Sequence, residues 1–215
     1  MRGNKTLLKI AILAVGVQDV GGGAASPALA DIMKAMPSVP SATIMLITTI
    51  PTLGQVIMSL FFGKLSDHFR KRSLFFFASA LFLIAGLAPF FLDSIVPILI
   101  WRFVLGLAIG IFVPLGVTLI TDFFEDPQEI SRMNGLNITV ACSGGMAFQM
   151  IGGYLARANW HYCFLAYLSS IIVFLIVFFW MPEPARKEPV LSASKEKLSG
   201  TIYRIAVLYG IINMI

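Results

Sequence analysis

The chain has 215 residues, of which 58% are hydrophobic and only 13% charged, with a formal charge of +5 and a mean hydropathy of +0.87. A soluble domain carries about 25% charged residues, so this composition excludes an ordinary water-soluble domain and implies one embedded in lipid. The positive charges sit in short segments between apolar runs, which reads as topology information and not as a nucleic-acid surface.

Six apolar spans are predicted, each close to the roughly 20 residues a helix needs to cross a bilayer core. The first, Leu7 to Ala30, is interrupted by Gln18, Asp19 and the triplet Gly21-Gly22-Gly23. That glycine-rich middle argues against a secretory leader. The second runs from Ser41 to Phe62 and the third from Ser73 to Leu92, joined by the charged segment Gly63-Lys64-Leu65-Ser66-Asp67-His68-Phe69-Arg70-Lys71-Arg72. The fourth covers Ile95 to Thr121, the fifth Asn134 to Ala156 and the sixth Tyr162 to Met181. From residue 182 to 200, prolines and alternating charges predict a linker. Residues 201–215 then open an apolar run too short to cross, read as the start of an incomplete seventh helix.

Loop charge orients the bundle. With the N-terminus in the cytoplasm, thirteen Lys and Arg residues fall on the inner side, and the outer loops keep only Lys34 and Arg157. That bias fits the positive-inside rule. The expected location is the plasma membrane of a bacterial cell, with the lipid bilayer as the constant partner. Cys142 and Cys163 fall in or beside apolar spans, so a disulfide framework is not expected.

The segment between spans two and three resembles the cytoplasmic loop between helices 2 and 3 of major facilitator superfamily transporters: Gly63, Leu65 and Asp67 match its pattern, and Lys71 and Arg72 its basic tail. His68 and Arg70 depart from it, standing where a basic residue and a second glycine are usual. Arg102, followed at four-residue steps by Gly106 and Gly110, resembles the family's intramembrane arginine. Asp122, and Glu129 with Arg132, resemble charged positions of the loop between helices 4 and 5, while Trp160, Phe164 and Pro182-Glu183 resemble the start and end of helix 6. Gly152-Gly153 matches part of an element of the drug/proton antiporters, with Phe148-Gln149 in place of its Gly-Pro. The resemblance implies an all-α membrane protein: a six-helix transmembrane bundle over residues 1–181, half of the major facilitator fold, built as a 3+3 inverted repeat. It also implies that Asp67, Lys71 and Asp122 form a cytoplasmic charge latch.

Several residues carry chemistry independently of that resemblance. Asp19 lies twelve residues into span one, about 18 Å deep at 1.5 Å per residue. An ionised carboxylate there costs several kcal/mol unless paired or hydrated, and such a group can take up and release protons as access alternates. Its alternative role is a structural carboxylate held by a neighbouring donor. Arg102 is the natural counter-charge, a permanent cation with five donors. Either Asp19 or Asp31, which sits near the outer level of Arg102, is placed to pair with it; snorkelling to the outer surface is the remaining option. Asn137, Ala141, Gly145, Gln149 and Gly153 recur at four-residue spacing in span five, and Gln55 lies with Thr48 and Thr52 on span two. Their amides suit either a solute cavity or interhelical packing, and the glycines suit packing. Asp67 is also placed to cap the start of the third helix. Phe61, Phe62, Phe75, Phe76, Phe77, Phe178 and Phe179 are expected to face lipid.

There is no P-loop, no metal-ligand cluster and no catalytic triad spacing, so no enzyme activity, metal or cofactor is expected. The reading is a secondary active transporter, with protons and a small solute as partners. Proton-coupled efflux of amphiphilic or drug-like solutes leads. Proton-coupled uptake of an organic anion or metabolite follows, and an inactive truncated half is the third possibility. A separate C-terminal half or a second copy of the chain would complete a working carrier.

Overall fold

A computed structural model describes residues 5–183. The linker expected over residues 182–200, beyond Pro182 and Glu183, and the helix start expected over 201–215 lie outside the described residues. Every element described is helical: α1 (Lys5–Val17), α2 (Leu29–Ala35), α3 (Ser41–His68), α4 (Lys71–Leu87), α5 (Ile95–Phe123), α6 (Pro127–Ala156) and α7 (Ser170–Trp180). Three 3-10 segments extend them, Gly21–Ala28 between α1 and α2, Ala88–Phe91 after α4, and Trp160–Ser169 before α7. Five of the resulting helices are long and apolar enough to cross a membrane. The bent pair Thr6–Val17 and Gly21–Ala35, angled by 43°, makes a sixth span.

Helices end where their sequence stops them. Asp126 caps α6, its carboxylate accepting from the amides of Gln128 (3.4 Å) and Glu129 (3.2 Å), with Pro127 at the first helical position. Asp then Pro then Glu is a helix-start signature. It moves the beginning of span five back from the expected Asn134 and places Glu129 and Arg132 on the helix. The second span also runs further than expected. α3 continues through Gly63, Leu65, Ser66 and Asp67 to His68, so the charged connection shrinks to Phe69 and Arg70. Asp67 therefore lies in the last turn of α3. Arg70 holds the N-cap position of α4, with no side-chain cap bond.

The helices pack in a pattern that repeats. α3 lies along α5, and span one lies along α6. α4 packs on α5, as the sixth span packs on the first. Exchanging spans one to three for four to six converts each contact into its counterpart, which is the inverted 3+3 arrangement. The centre is α5: from Ile98 to Ile120 its side chains are buried on nearly all sides. α3 and α6 bury the smallest share of their length. Phe82 contacts Phe112, Phe148 and Tyr167 edge-on, with centroids 5.4–6.2 Å apart. Phe62 and Phe75 are buried in this core, correcting the expectation that they face lipid, because both point from their helices toward the bundle interior. Phe61, Phe77, Phe178 and Phe179 are exposed.

Candidate functional site

The first span breaks at its acid. α1 stops at Val17, the amides of Gln18 and Asp19 reach only three residues back to Val15 and Gly16, and the chain re-enters helix as a 3-10 segment from Gly21. Three glycines followed by Pro27 favour that outcome, since glycine is a poor helix interior residue and proline removes a donor. Asp19 occupies the corner. It is half-buried, and its Oδ1 is shut away from solvent with no hydrogen-bond partner. Gln18 beside it is completely buried; its Oε1 accepts from the Ser79 hydroxyl at 3.4 Å, while its Nε2 has no partner.

Arg102 is the largest fully buried side chain among the described residues. Neither acid pairs with it. Nη1 donates to the Tyr167 hydroxyl at 2.7 Å and to the Gly22 carbonyl at 3.4 Å. The guanidinium lies over the rings of Phe164 (4.9 Å) and Tyr167 (5.6 Å). The reason is local: a 3-10 helix has three residues per turn, so Phe164 and Tyr167 stand above one another on one face, and that face meets α5. Asp31 instead takes Lys34 at 3.1 Å, one turn along the exposed face of α2. Snorkelling is also excluded in this conformation, because Arg102 has no exposed surface. Its Nε and Nη2 remain buried and unpartnered. Tyr167, Ser79 and the role of Gln18 went unnoticed in the sequence. Only the polar tip of Tyr167 inside an apolar run hints at a buried partner.

The amides divide by burial. Asn137 is buried, its Oδ1 unpartnered, wedged where Gly16 and Gly116 leave room. Gln55 is half-buried, and Gln149 is exposed on α6 beside Gly23. The glycines sit at helix crossings. A Cβ on Gly106 would run into the backbone of Pro51, and one on Gly110 would meet Gln55 and Met58. On α6, Gly145 meets Val20, Gly152 meets the backbone of Ala24, and Gly153 meets the Pro27 ring.

At the other end of the bundle, Lys71 donates to Asp122 at 2.5 Å, joining the start of α4 to the last turn of α5. Both side chains are largely buried. Arg72 donates to the Phe178 carbonyl at 2.7 Å and packs over Phe76 and Phe178, so it closes the last turn of α7. Lys9 pairs with Glu129 at 2.6 Å, and both line a cleft of about 400 Å³ with Asp126, Gln128, Arg132, Met133 and Leu136. Gly63, Asp67 and Arg70 are exposed and Leu65 is half-buried; a Cβ on Gly63 would meet nothing within 4 Å.

An arginine on the fourth span, an acid at the break of the first, a charge pair at the turn and an inverted helix order together match one family. Residues 11–213 fit the family model of the Major Facilitator Superfamily. The chain belongs to this superfamily. It is 29% identical over 173 residues to the synaptic vesicle 2-related protein of Rattus norvegicus, covering 80% of this chain and 31% of that protein. It is 26% identical over 159 residues to the 4-hydroxybenzoate transporter PcaK of Pseudomonas putida, covering 72% and 35% respectively. Among solved structures, the proton:xylose symporter XylE superposes with a TM-score of 0.65 at 15% identity, over 85% of this chain and 46% of XylE. The last comparison speaks to fold alone. The chain thus spans about a third of the length of these two sequence relatives. Like other major facilitators it is a multi-pass membrane protein of a transporter family, and not an enzyme.

Proposed function

We propose that this chain supplies the N-terminal six-helix unit of a proton-coupled secondary transporter exporting small amphiphilic solutes, with Asp19 as the proton-carrying group. One observation carries the reading: Asp19 straddles the interior and the surface, one oxygen buried without a partner, at the break of a span. A carboxylate so placed is stable in the apolar interior when protonated and in contact with water when ionised. Rocking of two bundles about a midplane site would expose it to each side in turn. The second bundle comes from the same polypeptide, a separate one or a second copy.

Export of an amphiphile is favoured over uptake of an anion by the contrast in exposure. The cation is sealed on Tyr167 and Gly22, whereas the acid is followed by the partly exposed small residues Gly22, Gly23 and Ser26. Those leave a roomy wall on which Gln149 and Gln55 can orient a solute. Uptake of an organic anion is the second reading, supported by the unpartnered Nε and Nη2 of Arg102 and by the likeness to a 4-hydroxybenzoate transporter. Lys71 and Asp122, with Asp67 nearby in sequence, act as the latch that favours outward opening, at a cytoplasmic face that also holds the N-terminus. The membrane is the plasma membrane of a bacterial cell.

The test is flux in proteoliposomes under opposed pH gradients, with tetraphenylphosphonium and 4-hydroxybenzoate as probes. Proton-driven efflux of the first, lost in Asp19→Asn while counterflow persists, is the expected result. Unchanged proton coupling in Asp19→Asn removes the carboxylate from this role, and proton-driven accumulation of 4-hydroxybenzoate alone selects the second reading.

A further inference from the structure

His161 lies at the end of the bundle opposite Lys71 and Asp122, where the sixth span begins. Its ring is held from two sides. Nδ1 is 3.0 Å from Asn159 Oδ1, and Nε2 is 3.2 Å from Asp93 Oδ1. The same Asn159 oxygen accepts from the backbone amide of His161 at 3.0 Å, so the atom facing the ring is the oxygen and not the amide nitrogen. A carboxylate likewise only accepts. Both ring nitrogens therefore face acceptors, and only an imidazolium carries hydrogen on both. The Trp160 indole stacks on the ring at 3.6 Å between centroids, a further preference for the cation.

We propose that His161 is a proton-dependent latch. Doubly protonated, it bonds Asn159 and Asp93 together, and so ties the junction of the third and fourth spans to the start of the sixth. Neutral, it keeps one hydrogen and satisfies one acceptor, so in either tautomer the Asp93 carboxylate loses its cationic partner and the tie is weakened. The imidazole takes its proton directly from water, since its side chain is 18% exposed and that of Asp93 is 91% exposed. α5 brings Arg102 to this segment, where it donates to the Tyr167 hydroxyl, and few other charges reach this end. Gly21–Ala28 and Ala88–Phe91 carry none, and α4 has its Lys71 and Arg72 at the far end. α6 ends on Arg157, which lies over the Tyr154 ring at 5.9 Å. α7 carries none, and the segment's own Tyr162, Cys163 and Tyr167 are its remaining titratable groups. Asp31 and Lys34 pair with each other. The latch is separate from Asp19 and stands whether or not that residue carries protons.

The experiment uses the full chain in nanodiscs, with Cys142 and Cys163 replaced by alanine and spin labels on cysteines introduced at the exposed Ser94 and Ala158. Pulsed electron resonance should give a narrow distance distribution at pH 5 that broadens at pH 8. Asp93→Asn and His161→Gln should each be broad at both pH values, and Asp19→Asn should retain the wild-type response. In a chain keeping Trp160 as its sole tryptophan, emission should be quenched at pH 5 relative to pH 8, and His161→Gln should abolish the difference while far-ultraviolet dichroism confirms its fold. A distance distribution that ignores pH, or a response that survives His161→Gln, overturns the latch.

Discussion

Two helix crossings use the same material to different ends. Where α3 crosses α5, both helices are continuous and glycine serves both sides: Gly54 faces the backbone of Phe103 and Leu107, while Gly106 and Gly110 face Pro51 and Gln55. Where span one crosses α6, glycine again serves both sides, Gly16 and Gly23 facing Asn137 and Gln149 while α6 glycines face Val17, Val20, Ala24 and Pro27, but here span one is broken at Asp19. Small residues permit close approach in both. The first crossing is mainly backbone against backbone along unbroken rods, with the Met58 side chain beside Gly110, so it has little room to adjust. The second meets side chains as well, and it borders a corner with unsatisfied polar atoms. The inverted repeat thus places a stiff joint and a compliant one in equivalent positions, and the acid sits on the compliant one.

Substitutions can test that difference. Gly106→Val should be the most damaging: the Pro51 backbone cannot yield, and overpacking of this kind costs about 3 kcal/mol or more, read as loss of folded protein in a detergent unfolding titration. Tyr167→Phe should follow, at about 2 kcal/mol, because it strips Arg102 of its close partner and leaves more of a buried cation unsatisfied; the same titration measures it. Gly153→Ala probes the compliant joint, where the Pro27 ring needs to give by only a few tenths of an ångström. A cost of about 1 kcal/mol or less is expected, and a loss matching that of Gly106→Val would refute the contrast between the two crossings. Gly63→Ala should be the mildest and of opposite sign, a gain of up to about 1 kcal/mol, since its Cβ enters open space within α3. If Gly63→Ala leaves stability raised and flux lowered, that surface meets another body during transport.

The membrane class, the six spans and the family were legible in the sequence, because apolar length and loop charge are local properties and need no partner to be read. Asp19 stood out for the same reason, as a carboxylate inside an apolar run. The start of α6 at Asp126-Pro127 was also present in the sequence as a capping signature, but weak hydropathy in its first turns hid it. The partner of Arg102 was not legible. Asp19 and Asp31 were the obvious acids, yet a 3-10 turn in the sixth span presents Tyr167 and Phe164 to the guanidinium, and α2 turns Asp31 toward Lys34. Nor could the sequence tell that Phe62 and Phe75 point inward, since a phenylalanine serves lipid and core equally well.

The sequence by itself determined which stretches enter the membrane, because burying a helix in hydrocarbon depends on the composition of that helix alone. Only the tertiary structure decided which buried polar groups meet: that Arg102 goes to Tyr167, that Lys71 reaches Asp122, and that Asp19 and Gln18 keep atoms without partners. Inside a bundle every helix is apolar, so hydropathy no longer discriminates between neighbours. There, helix rotation, a tightened turn or a missing Cβ sets which side chains come within bonding distance.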